Sequence, residues 1–427
     1  MFLWIFFFFA LVVPSFTLQM SFVESVLPKA KPMPLPLVSD VPGTWAHDTM
    51  SRRVLAMVDD VIEDNPSWRE PLMALRLEIE RNEALKPICD GAVDEAEWNA
   101  LLEREKGKTW LSATWLLAEF YLYRRIVECT CYFKNKVDVF EKAKRLGLEA
   151  SMDTLEELAK KADFDLDPTE TFLCLSLWGN RMDLSLWPAS TNVAAQKGQF
   201  DEVLKQSKKQ LLKDDAFEAS KYLDSLKDAT IDIVVDNAGF ELVADLFLAD
   251  FLIASGKAKQ VRLRTKHHPT FVSDVLNKDV HEHVDILSKV KDFPNFAKVA
   301  SRWKSYLDNE KLILKDETYW AMPYPLWEMP PALRRDLTSS ALIVVKGDAN
   351  YRRALGDRPW PYDAPFADVC SYFPAPVLCL RTLKAELGTG MDIDKVNAAS
   401  KADPNWLTNG KWGVLQFREA SSAPSDN

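Results

Sequence analysis

Glycine is scarce in this chain, 14 in 427 residues, and the shortage removes whole classes of site. Loops that cradle phosphates with bare backbone amides need clustered glycines, and neither G-x-x-x-x-G-K-[ST] nor G-x-G-x-x-G occurs. G-x-S-x-G and H-E-x-x-H are missing too, which argues against a nucleophile elbow and a zincin helix. There are 6 cysteines and no C-x-x-C pair; their apolar neighbours predict buried free thiols rather than disulfides or zinc ligands. Positive charge is in deficit, 53 Lys and Arg against 63 Asp and Glu for a net charge of −10, which disfavours a nucleic-acid binder. An anionic small molecule still binds wherever cations cluster locally. The single Asn-x-Ser/Thr match, Asn65-Pro66-Ser67, is blocked by its proline.

What the chain does hold is apolar bulk: 47% hydrophobic residues and 14 tryptophans, enough for a substantial core. Residues 1–20 begin MFLWIFFFFALVV, a run short for a membrane span and without the basic start of a signal peptide. Met20 opens a more ordinary beginning, so the leader reads as an extension or a misassigned start. Residues 21–50 are rich in proline and predict an irregular arm. From Ser51, Val54, Leu55, Val58 and Ile62 fall on one helical face, and residues 51–165 predict a region of packed helices. Arg124 and Arg125 lie there beside Tyr121 and Tyr123; a helix with snorkelling arginines explains them better than an anion site. Residues 166–420 predict an α/β domain, and 421–427 a polar, mobile tail.

Five strands are predicted in that domain: Thr171–Leu177, Ile231–Val235, Lys259–Thr265, Ala341–Val345 and Pro376–Leu380. Residues 201–228 and 279–305 read as helical connections. The alternation predicts a doubly wound, mainly parallel sheet. After Ile231–Val235 come Asp236 and Asn237, then Gly239 and an amphipathic run from Phe240 to Phe251. That is strand, polar turn and helix, with a carboxylate beside a carboxamide. A helix cap explains the pair as simply as a site does.

The wider pattern carries more weight. Each predicted strand runs at once into chemically loaded residues: Asn180 and Asp183; Asp236, Asn237 and Glu241; Asp274; Lys346, Asp348, Asn350 and Arg352; Arg381 and Lys384. In a parallel sheet these gather at one edge. Three oxygen ligands there would hold a hard divalent cation, and Lys346, Arg352, Arg381 and Lys384 would clamp a phosphate. That combination suits phosphoryl transfer. His267, His268, His281 and His283 make a poorer zinc candidate, because the second pair sits among acids.

The stretches DNAGFEL (236–242), LWGNRMDLS (177–185), FVSDV (271–275), KGDANYR (346–352) and RTLK (381–384) occur in order. Together they resemble the damage-control phosphatases, in their eukaryotic subgroup marked by Arg-Thr-x-Lys, also described as protein-glutamate O-methyltransferases. The resemblance runs over most of residues 45–418 and implies an α/β/α sandwich with a helical N-terminal region. It further implies Mn²⁺, or Co²⁺, Ni²⁺ or Mg²⁺, on Asp236, Asn237 and Asp274. Asn237, Ala238 and Glu241 would border the substrate, and Asp348, Ala349, Asn350, Tyr351 and Arg352 with Lys384 would hold a sugar phosphate. It implies a cytoplasmic protein, from which the apolar leader is a departure.

The expected activity is metal-dependent hydrolysis of phosphomonoesters such as fructose 1-phosphate, with Asp236 catalytic. Either a metal-activated water or Asp236 itself is the nucleophile. The expected partners are small sugar phosphates, with no nucleic acid, no stable membrane insertion and no obligate protein partner. Two rivals are an S-adenosylmethionine-dependent carboxyl methyltransferase, for which no glycine-rich loop is found, and a sugar-phosphate-binding module without catalysis.

Overall fold

The computed structural model of the chain describes residues 26–161, 169–179 and 208–419. Among these, seven strands form one sheet: β1 (Leu211–Asp214), β2 (Ala229–Val234), β3 (Ala258–Arg264), β4 (Leu312–Lys315), β5 (Leu342–Lys346), β6 (Val377–Thr382) and β7 (Gly413–Arg418). Their order is β1-β7-β6-β5-β2-β3-β4. All neighbours are parallel except β6 and β7. The chain steps outward from β2 through β3 to β4, then returns to start β5 on β2's other side. The β2–β5 seam is therefore the switch point where such sheets open a crevice at their carboxyl ends.

Helices cover both faces, as a mainly parallel sheet requires. Alternate residues of β5 show the two cores: Leu342 and Val344 join the 240–254 and 294–308 helices, while Ile343 and Val345 join the N-terminal helices. The second core unites Val58, Ile62, Trp98 and Tyr121 with the sheet and with Trp320 and Trp327. Residues 51–161 thus pack directly on the strands. No helix among the described residues is long and apolar enough to cross a membrane.

Four of the five predicted strands are present. The fifth reading is corrected: Thr171–Leu177 lies in a helix, Thr169–Trp178. That helix is buried almost all round, against the 240–254 helix and the sheet. Such a segment shows no 3.6-residue stripe, and a short apolar run cannot be told from a strand by periodicity. Residues 201–228 are corrected in part, since they hold β1 before the helix Ala216–Ser225. The 279–305 stretch is two helices, Asn277–Lys289 and Pro294–Asp308. All six cysteines are free; Cys174, Cys370 and Cys379 are buried, but Cys89 and Cys131 are exposed, against expectation.

Asp232, the polar interruption in β2, is fully buried. The β2–β3 register sets it opposite Arg262. Its carboxylate accepts from Arg262 Nη2 at 2.5 Å and Arg264 Nε at 2.7 Å, and from the Ser340 hydroxyl. Arg264 continues to Glu317 and Asp336. The β3 arginines therefore face a protein interior where they are paired. Removing one member of a buried pair leaves the other charge uncompensated. Asp232→Ala is expected to cost about 3–5 kcal/mol, read as a lowered urea midpoint at unchanged slope; an unchanged midpoint would contradict the network's role.

Candidate metal and phosphate site

β2 delivers its last residues to the switch point. Gly239, at φ +76°, lets the chain turn into the 240–254 helix, with Asp236 and Asn237 on the bend. A second loop arrives from β3. Asn237 and Asp274 form an isolated bridge, and the amides of Val275 and Ala238 donate to the carbonyls of Asp236 (2.8 Å) and Ser273 (2.7 Å). Two segments separated in sequence are thus zipped together by backbone hydrogen bonds, which fixes two carboxylates at one place.

β5 closes the site from the other side. Gly347, at φ +81°, begins the helix Asp348–Leu355, and a Cβ built there would lie 2.0 Å from Asp236 Oδ2. Only glycine lets this backbone and that carboxylate coexist. Beyond it, Asp348 is the junction of two motifs. Its Oδ1 accepts from Arg381 Nε at 2.8 Å and from the Lys384 amide at 3.0 Å.

These residues open on a cleft of about 370 Å³, within the range of small-ligand sites. Its floor is Asp236, Asn237, Ser273 and Asp274; Asp348, Ala349, Arg352 and Lys384 form one side. The opposite wall comes from the N-terminal helices: Trp45, Thr49, Arg53 and Met57, then Trp115, Glu119 and Tyr123. Thr49 and Arg53 bound a single π-helical turn, a form of helix often found at functional sites.

Sequence reasoning did not single out that wall, apart from noting Tyr123. One signal was present. Trp45, Thr49, Arg53 and Met57 recur every four residues, as do Trp115, Glu119 and Tyr123, so each set is one helical stripe mixing aromatic and polar groups.

The structure separates the predicted site residues by helix face. Asp348, Ala349 and Arg352 reach the cleft. Tyr351 does not: it is fully buried and its hydroxyl donates to Gln416 Oε1 at 2.7 Å. Asn350 also points inward, donating to the carbonyls of Val235 (3.1 Å) and Lys346 (2.9 Å). Both tie strand ends together, and neither is among the residues that line the cleft.

Of the four predicted clamping cations, two line the cleft. Lys346 is fully buried beneath it, 3.2 Å from Asp245 and 3.5 Å from Glu241. Arg381 is spent on Asp348 and on the carbonyls of Leu387 and Ala385. Arg352 lines the cleft with its guanidinium 3.6 Å from the Trp115 ring centre, paired to Glu119 and to Asp357. Ala238 and Glu241 border a neighbouring hollow on the far side of Asn237. Asn180 and Asp183 lie outside the described residues.

The arginines of the 115–129 helix are not snorkelling. Arg124 is buried against Asp90 and Asp94, and Arg125 pairs with Glu78 and Glu128. Of the histidines, His283 accepts from the Gly239 amide at 2.9 Å, and His268 is buried 3.8 Å from Asp94.

The electrostatics of the floor are those of crowded acids. Burial pushes the Asp236 carboxyl well above the ordinary range, and the charges of Glu241 and Asp274 push the same way. Burial raises Asp274 too, against the opposing pull of Lys266. The Asn237 amide nitrogen bridges Asp236 (2.8 Å) and Glu241 (2.9 Å). Asp274 Oδ2 is paired with Lys266 Nζ at 3.2 Å. Among the described residues no three or more His, Cys, Asp or Glu side chains are arranged as a ready-made set of metal ligands. The donors here are instead two carboxylates and a carboxamide. Hard oxygens and repelling buried acids at one cleft together fit a hard divalent cation.

Carboxylates and cations thus meet at the switch point of an α/β sheet, where folds of this class bind their ligands. The chain belongs to the damage-control phosphatase family: the model for the damage-control phosphatase ARMT1-like domain matches residues 48–398. Rat damage-control phosphatase ARMT1 is 33% identical over 377 residues, covering 81% of this chain and 85% of the relative. The human protein of that name is 33% identical over 382 residues, with coverage of 81% and 85%. The one from Xenopus tropicalis is 31% identical over 416 residues, with 88% and 93%. A solved DUF89 family protein from Pyrococcus horikoshii is 15% identical, with a TM-score of 0.45 over 80% of this chain and 96% of that one.

Raised carboxyl pKa values make a pH prediction. Protons persist on Asp236 and Asp274 above their ordinary range, so any cation that binds there would have to displace them. Mn²⁺ affinity is expected to rise with pH across that range, with protons released on binding. Calorimetry in two buffers of different ionisation enthalpy measures this; pH-independent binding without proton release would contradict it.

Proposed function

We propose that this chain is a metal-dependent phosphatase that hydrolyses phosphomonoesters of sugar phosphates, fructose 1-phosphate among them, using Mn²⁺, Co²⁺, Ni²⁺ or Mg²⁺ held by Asp236, Asn237 and Asp274. The observation carrying this reading is the convergence of the two carboxylates with Arg352 and Lys384 on one cleft. The names of the relatives, damage-control phosphatases, support it.

A bound divalent cation supplies positive charge to the phosphoryl oxygens. The chain's own groups do the rest. Lys384 and Arg352 neutralise the phosphate from the flank, and the Trp115 ring keeps the guanidinium flat against the wall. Glu119 and Asp357 hold Arg352 in place. Asp236 acts at phosphorus in one of two ways: it takes the proton of an attacking water, or its carboxylate attacks first and water then cleaves the acyl phosphate. In both, the phosphorus–oxygen bond to the sugar breaks and the sugar oxygen leaves with the electron pair. Trp45, Trp115, Phe271 and Val272 offer an apolar wall to the carbon face of a sugar.

A phosphate-release panel over sugar phosphates, with each cation and a chelated control, tests the reading. Turnover is expected only with metal. Asp236→Ala should lose about 100-fold or more in kcat/KM, and Lys384→Met about 10- to 100-fold. Undiminished turnover after chelation, or full activity of Asp236→Ala, would remove the proposal.

A further inference from the structure

The loop that carries Asp274 is bent in an unusual way. Phe271 and Val272 have φ of +48° and +65°. Two successive non-glycine residues in the left-handed region are uncommon, and a β-branched residue there is an outlier. The Ser273 amide donates to the Phe271 carbonyl at 2.7 Å. This i→i+2 bond across a residue of positive φ makes Val272 the centre of a γ-turn of the rare, strained hand. Such strain persists only where surrounding contacts over-determine it.

The contacts are visible on both sides. Upstream, the Phe271 ring sits against Phe120, 4.9 Å between centres and edge-on, and against Tyr123 at 5.0 Å. Downstream, Ser273 Oγ donates to Asn237 Oδ1 at 2.5 Å, and the Ser273 carbonyl accepts from the Ala238 amide at 2.7 Å. The turn is therefore stretched between an aromatic socket on the 115–129 helix and the strand-end bend that bears Asp236 and Asn237. Asp274 follows directly, and its position depends on how tightly the turn is drawn.

We infer that Phe271 is a positioning residue: its ring, seated against Phe120 and Tyr123, holds the strained turn at Val272 and so keeps Asp274 beside Asp236 on the floor of the cleft. This rests on the metal site of the proposed function and adds to it a role for the N-terminal helices. They supply the anchor that shapes one metal ligand's loop, as well as a wall.

Release of the anchor lets the turn relax, and strain of this kind corresponds to about a tenfold to hundredfold change in an equilibrium. Phe271→Ala is expected to weaken Mn²⁺ binding by about that factor. Val272→Gly removes the cause of relaxation, because glycine tolerates positive φ. The double variant Phe271→Ala/Val272→Gly should therefore regain most of the lost affinity. Chelated Val272→Gly should melt at or above wild type despite losing a side chain. A purely packing role for Phe271 predicts the opposite order, with the double variant weaker than Phe271→Ala.

Mn²⁺ titration calorimetry on the four proteins, with melting of each after chelation, decides it. Phe271→Leu, which keeps bulk but loses the ring contacts, replaces Phe271→Ala should that variant not fold. Recovery in the double variant supports the inference; a double variant as weak as the single one overturns it. Wild type that binds Mn²⁺ but releases no phosphate would overturn the proposed function alone, and wild type that binds no Mn²⁺ would overturn both.

Discussion

Asp236 and Asp274 are buried carboxylates that line one cleft; burial raises the proton affinity of both, and the charges of Glu241 and Asp274 raise that of Asp236 further. Holding like charges together without water is costly, and much of the molecule is arranged around that cost. The backbone bonds from Val275 and Ala238 fix the two loops at a set separation. Gly347 clears the space that Asp236 fills. Lys266 lies beside Asp274 and within 3.2 Å of Asn350, and Lys346 stands beneath Glu241 and Asp245. Burial lifts Asp245 itself, to about 7. A divalent cation at this place would turn the repulsion into attraction.

The motifs of the chain divide between touching the cleft and shaping it. In KGDANYR, Lys346, Asn350 and Tyr351 are structural struts, while Asp348, Ala349 and Arg352 face the cleft. In RTLK, Arg381 braces Asp348 from behind and Lys384 lines the cleft. A run of adjacent functional-looking residues on a helix thus resolves into one turn's worth of contact and an opposite face devoted to the core.

The legible part of the fold was its centre. β2, β5 and β6 are rich in Val, Ile and Leu and β3 alternates Val261 and Leu263 with arginines; the order of the turns that follow them was enough to bring Asp236, Asp274, Asp348 and Lys384 to one edge. The edge strands β1 and β4 were missed because each spans four residues and is partly exposed, too little for an alternating pattern to register. The Thr169–Trp178 helix reads as a strand in the sequence because burial on all sides erases its amphipathic stripe. The cleft's N-terminal wall escaped notice for another reason. Trp45, Arg53 and Glu119 lie on helical stripes, but they acquire their meaning only from where long-range packing sets those helices, opposite the strand ends. The strained turn at Val272 was equally silent, since nothing in FVSDV marks a positive φ.

The central claim is that two carboxylates from different loops share a single ion. Mn²⁺ stoichiometry and affinity, measured by calorimetry on wild type, Asp236→Ala and Asp274→Ala, test it most directly. The account predicts one ion per wild-type chain, weakened by more than about 100-fold in each variant alone. Wild-type stoichiometry and affinity in either variant would show that the two residues serve no common ion.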